Sequence, residues 1–124
     1  MDMRIRTYRS RSSSKYGNRK CKIDGYTFDS GKEGNRYMEL KYLLAAGQIK
    51  DLELQKPFVL QEGFRDKHGK WHREIKYIAD FVYYDNEKEE TVIEDVKSKA
   101  TAENAVYKLK KKMMLYNGLE ITEI

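Results

Sequence analysis

Tyr77-Ile78-Ala79-Asp80-Phe81 and Val92-Ile93-Glu94-Asp95-Val96-Lys97 read as the central strands of a sheet. Both stretches are rich in β-branched and aromatic residues. Asp85-Asn86-Glu87-Lys88 between them reads as a hairpin loop, so the sequence predicts adjacent strands over Ile75 to Tyr84 and Thr91 to Lys97. Strand alternation puts Asp95 and Lys97 on one face and Glu94 on the other. If Asp80 faces the same way on the neighbouring strand, two carboxylates and an ammonium meet at one point. A carboxylate inside Ile78-Ala79-Asp80-Phe81-Val82 is costly unless it is paired or metal-bound. A structural salt bridge with Lys97 is one way to satisfy it. The other is a hard divalent cation, which takes oxygen ligands and relieves the repulsion between paired carboxylates. A metal site that handles phosphate is the economical reading.

Upstream of these strands, Ile49 to Leu60 is extended and interrupted by Pro57, a strand with a kink or edge position. Before it, a helix is predicted from Gly31 to Ala46, with Ser30 as N-cap, Gly47 as stop, and Tyr37, Leu40, Leu43 and Leu44 as its apolar stripe. Glu33 borders that stripe. Ser30-x-x-Glu33 is also a capping box, so two roles compete for this carboxylate. Asp24-Gly25 turns into a short Tyr26-Thr27-Phe28 strand. Phe64 to Trp71 is a polar connection with turn points at Gly63 and Gly69, and His68, Trp71 and His72 are read as turn-packing groups, not ligands. A second helix is predicted from Ala102 to Asn117, capped by Thr101 and stopped by Gly118, followed by a short strand over Leu119 to Ile124. The order is helix, three-strand meander, helix, strand: an α/β fold on a mixed sheet.

The 124 residues suit one domain, 40% hydrophobic and 36% charged. No apolar run approaches a membrane span, and the basic N-terminus lacks the apolar middle of a secretory signal, so a cytoplasmic setting is expected. One cysteine and two histidines exclude an internal disulfide and a zinc framework. Charge is uneven: residues 1–22 hold eight Lys or Arg against one acid, a net +7, which leaves −2 for the rest of a chain whose total is +5. The expectation is a flexible basic tail over 1–22, with Arg9 and Arg11 as phosphate contacts, and a folded domain over 23–124. Lys108, Lys110, Lys111 and Lys112 load the second helix with charge, part of it solvent-facing.

Glu33, Asp80 and Asp95-Val96-Lys97, in this order and on these elements, resemble the PD-(D/E)XK nuclease superfamily. Phe28-Asp29-Ser30-Gly31-Lys32-Glu33, Tyr77 to Phe81, Glu94 to Lys97 and the Tyr107-Lys108-Leu109-Lys110 helix look closest to a small phage-borne family within it. The pattern departs at Ala79, where proline often precedes the aspartate, and at Lys99-Ala100-Thr101, which replaces a glycine-led turn. The resemblance implies a restriction-endonuclease-like core and a metal-dependent DNA endonuclease. Glu33, Asp80, Asp95 and the main-chain carbonyl of Val96 would hold one or two Mg²⁺, with Mn²⁺ able to substitute, and Lys97 would act on the attacked phosphate. Lys110, with Lys108 beside it, would contact DNA. Cleavage of branched, Holliday-junction-like DNA by a homodimer during phage recombination or packaging is the expected activity. The rivals are another nuclease preference and a non-catalytic DNA-binding accessory.

Overall fold

The computed structural model describes residues 4–8 and 19–124. Its centre is the expected meander: β4 (Ile49–Gln61), β7 (Ile75–Asp85) and β8 (Glu90–Asp95), joined antiparallel. β9 (Ile121–Glu123) pairs parallel with β8, and β1 (Arg6–Thr7) pairs parallel with β4. The sheet order is therefore β1-β4-β7-β8-β9, mixed as expected. Two small hairpins flank it: β2 (Cys21–Ile23) with β3 (Tyr26–Phe28), and β5 (Phe64–Arg65) with β6 (Trp71–His72). Asp24 and Gly25 both take positive φ, as a two-residue hairpin turn requires.

Several boundaries differ from the sequence expectation, including the polar connection from Phe64 to Trp71, which holds β5 and the start of β6. Arg6–Thr7 and Cys21–Lys22 fall inside the stretch assigned to a flexible tail, yet both belong to strands. Edge pairing with β4 supplies the backbone bonds that local sequence does not advertise. The third central strand ends at Asp95, two residues short of Lys97. The single second helix is two: α2 (Lys99–Ala102), capped by Ser98, and α3 (Ala105–Tyr116), capped by Asn104. Ser98, Thr101 and Asn104 are three cap-forming residues at intervals of three. Ser98 and Thr101 close a capping box, which starts a helix one turn early, and Asn104 then starts the next.

Helices cover the sheet from both sides. α1 (Gly31–Ala45) buries Tyr37, Leu40 and Leu44 against Leu52, Leu54, Phe81 and Tyr83. Tyr107 and Met114 of α3 pack with Val82, Ile93 and Ile121. Val82 pairs with Ile93, and Tyr83 with Val92, so neighbouring pairs on the β7–β8 ladder serve opposite cores. Gly34 lets α1 sit tightly on β2: a Cβ there would lie 2.7 Å from Cys21 Sγ. No described helix is long and apolar enough to cross a membrane.

Candidate functional site

The ladder pairs Phe81 with Glu94, and the same register carried one residue further sets Asp80 across from Asp95. Glu94 turns the other way, into a buried cluster where Arg36 grips both its oxygens (2.8 and 2.5 Å) and Tyr83 donates to it. That carboxylate is consumed by structure. Asp80 and Asp95 instead line a pocket of about 1050 Å³ together with Glu33, Lys97 and Lys110.

Glu33, Asp80 and Asp95 are all buried. Asp80 accepts the Val96 amide on Oδ2 at 2.8 Å, so the chain turning off the end of β8 clamps it. Asp95 accepts the Tyr77 hydroxyl on Oδ2 at 2.5 Å and faces Lys97 Nζ at 3.4 Å through Oδ1. Burial and the facing Asp95 push the Tyr77 phenol up, keeping it protonated as a donor. Burial, then the charges of Asp95 and Glu33, push the Asp80 carboxyl well above its usual range, against a smaller opposing effect of the Val96 amide.

Lys97 reaches the site after its strand has ended. Its ammonium lies 4.3 Å from the centre of the Tyr107 ring, and its carbonyl accepts from Lys32 Nζ at 3.0 Å. The main chain is fixed there by Ile124, whose carbonyl accepts the Lys97 amide and whose amide donates to the Asp95 carbonyl. Lys97 thus presents its ammonium to the pocket from an anchored backbone.

At the mouth of α1, Ser30 Oγ accepts the Glu33 amide at 3.1 Å, as an N-cap does. The Glu33 carboxylate accepts from Gln55 Nε2 at 3.2 Å, and the same nitrogen approaches Asp80 Oδ1 at 3.5 Å. Gln55 thus links the helix acid to the strand acid. It escapes a sequence reading because it sits mid-strand in β4 with no motif around it. Its one anomaly is conformational: φ is +56°, a value L-residues avoid inside a strand.

The predicted residues are therefore partly gathered. Glu33, Asp80, Asp95, Val96, Lys97 and Lys110 line one pocket, whereas Lys108 pairs with Glu103 at 2.8 Å outside that lining. Arg9 and Arg11 lie outside the described residues. Lys32 and Tyr77 lie inside the quoted stretches but carry no assigned role there, and Gln55 lies in none; all three make contacts at the site. The donors are oxygens, the right chemistry for a hard cation. Among the described residues, however, no three His, Cys, Asp or Glu side chains stand as a metal-holding group.

The family described as Protein of unknown function (DUF1064) matches residues 13–123. The chain belongs to that family. The match runs from ahead of β2 to the end of β9, and so includes every carboxylate of the pocket. No curated protein and no solved structure matches it.

Proposed function

We propose that this protein is a metal-dependent DNA endonuclease of the PD-(D/E)XK type, acting in the cytoplasm. One observation carries the reading: Asp80 is a buried carboxylate held beside Asp95 and Glu33 at an open pocket, with its acidity suppressed first by burial and then by both neighbours. A fold that only needed packing would gain by placing an apolar residue there.

Asp80 and Asp95 would hold the ion, with the Val96 carbonyl as a main-chain oxygen and Glu33 as the outer carboxylate. Bound Mg²⁺ supplies charge neutralisation at the scissile phosphate and a more acidic attacking water. Tyr77 orients Asp95 through its 2.5 Å bond, and the Val96 amide orients Asp80. Lys97 offers an ammonium beside Asp95, suited to steadying negative charge that develops on the phosphate. Lys32 and Lys110 supply further cations at the same pocket.

Branched DNA of the four-way-junction type, cut by a homodimer in phage recombination or packaging, is the substrate and assembly this reading favours. It rests on the family resemblance, and another nuclease preference is its neighbour. The opposing reading, a DNA-binding accessory without catalysis, draws on Gln55, whose amide satisfies Glu33 without any ion. Incubation with Mg²⁺ or Mn²⁺ of four-way junction, flap, single-stranded and linear duplex DNA decides among them, with Asp80→Asn as control. Metal-dependent cutting lost in the control supports the nuclease. Binding without cutting of any of the four substrates supports the accessory.

A further inference from the structure

The β5–β6 hairpin projects exposed aromatic surface where a merely structural turn would hide it. Phe64 and Trp71 remain 46% and 56% exposed. Yet the hairpin is tightly built. Asp66 accepts the amides of His68 and Lys70 on one oxygen and contacts His72 Nε2 through the other at 2.8 Å. Phe64 stacks on the His72 ring at 4.9 Å between centroids, and Arg65 donates to the Gly69 carbonyl. The edge of the Trp71 indole lies over Gly63, where an added Cβ would be only 2.4 Å away, and Arg65 stands 5.6 Å from the ring centre. The expectation that Trp71 packs a turn therefore covers one edge of the ring and leaves most of the residue in solvent.

The hairpin is also strongly basic. Residues 64–73 hold Arg65, Lys67, Lys70 and Arg73 against Asp66 alone, a net +3 with histidines neutral. Among the described residues, Lys67, Lys70 and Arg73 pair with no carboxylate. The hairpin also runs straight into the candidate site, since Arg73, Glu74 and Ile75 line the pocket that holds Asp80 and Asp95.

We propose that this hairpin is a nucleic-acid arm, which stacks an unpaired base on Trp71 and places Lys67, Lys70 and Arg73 on the flanking phosphates. An exposed indole on a hairpin that also carries unpaired cations matches a base with its phosphates, because every base offers a π-face and every linkage a negative charge. A regular duplex hides its base faces, so the occupant is single-stranded nucleic acid or the unpaired part of a branched one. The inference rests on the nucleic-acid reading of the adjoining pocket, but it needs no metal and no cleavage.

Trp71 is the chain's single tryptophan, which makes it its own reporter. The full chain is titrated in EDTA with an oligothymidylate and with a blunt duplex at matched salt, reading indole emission. Quenching by the oligothymidylate well beyond that by the duplex is the expected result. Trp71→Leu, followed by the anisotropy of a labelled oligothymidylate, should weaken binding about tenfold, the equivalent of roughly 1.4 kcal/mol. The double variant Lys67→Gln/Lys70→Gln keeps the indole and should flatten the dependence of log K on log salt by about 1.4 for two phosphates on a single strand. Unchanged emission, equal quenching by duplex, or an unchanged salt slope in the double variant each overturns the arm. Cleavage that persists while emission is silent sinks the arm and spares the nuclease. Quenching without cleavage on any substrate does the reverse.

Discussion

Tyr77 donates its hydroxyl to Asp95 at 2.5 Å, on the oxygen that Lys97 leaves free, so this carboxylate is fixed from both ends. The phenol is protonated by environment, with burial and Asp95 both pushing it up, and it therefore serves as a donor throughout the working range. Tyr77→Phe keeps the ring on Phe58, 6.4 Å between centroids, and removes only the hydrogen bond. A buried bond to a charged group contributes about 1.5–3 kcal/mol, so thermal unfolding should fall by several degrees. Metal-dependent cleavage should fall about tenfold, because Asp95 keeps its charge but loses its orientation. Normal activity with lowered stability would make Tyr77 a packing residue only.

Asp80 should make the metal-free protein sensitive to pH in an unusual sense. Its pKa in the folded state lies well above the ordinary 3.8, so above that pH the folded state holds a proton that the unfolded chain has given up. Stability is therefore lost as pH rises from about 3.8 through the raised folded value, the reverse of an ordinary salt-bridged aspartate. Asp80→Asn removes the liability, and its oxygen can still accept from Val96. Unfolding temperatures measured in EDTA from about pH 4 to about pH 7 should move progressively in favour of the variant, with about 1 kcal/mol showing as roughly 4 °C. Mg²⁺ should stabilise the wild type and leave the variant unchanged. Equal Mg²⁺ stabilisation of both would remove Asp80 from the ion.

Gln55 trades backbone comfort for its side chain. A non-glycine residue at φ +56° costs on the order of 1–2 kcal/mol, and the amide it presents binds Glu33. Gln55→Gly removes both the strain and the amide, whereas Gln55→Ala keeps the strain. The glycine variant should melt above the alanine one, and both should cut DNA less well than wild type. Glu33→Gln completes the set: the Ser30 cap uses the main-chain amide and survives, so stability should barely move while cleavage collapses. If Glu33→Gln cuts normally, Glu33 serves the helix and the Gln55 strain has no catalytic purpose.

Much of this was legible in the sequence, for identifiable reasons. The meander follows from strand composition and loop chemistry. The division of labour between Glu94 and Asp95 follows from alternation alone, and Arg36 and Tyr83 take the first while Tyr77 takes the second. What stayed hidden depends on contacts distant in sequence. Gln55 meets Glu33 across 22 residues and Tyr77 meets Asp95 across 18, with no spacing to betray either. The break between α2 and α3 was obscured because Thr101 is itself a good cap, and only the box with Ser98 moves the start back. β1 is invisible because two residues carry no periodicity.

Arg36 offers a control that separates fold from chemistry. Its guanidinium satisfies Glu94, which is almost fully buried, and burial there is tolerable only with that partner. Arg36→Ala should cost about 3–5 kcal/mol by leaving the carboxylate unpaired. The double variant Arg36→Met/Glu94→Leu should recover most of that loss and retain cleavage, since neither residue lines the pocket. Recovered stability with absent cleavage would tie the Glu94 cluster to the site through its neighbour Asp95.

The basic N-terminal stretch calls for substitution and not truncation. Its charge predicts a share of the non-specific DNA affinity, but deleting residues 1–20 would also remove β1 and uncover the edge of β4. An exposed edge invites pairing with other chains, which would confuse any binding curve. Arg9→Gln/Arg11→Gln leaves Arg6–Thr7 in the sheet and subtracts two cations. If both contact phosphates, the slope of log K against log salt on duplex DNA should flatten by about 1.8, with affinity falling most at low salt. Cleavage at saturating DNA should persist, because Glu33, Asp80, Asp95 and Lys97 all lie downstream of the two substituted arginines. A slope that does not move would place the duplex footprint elsewhere, with Lys32, Arg73 and Lys110 around the pocket as the next cations to neutralise.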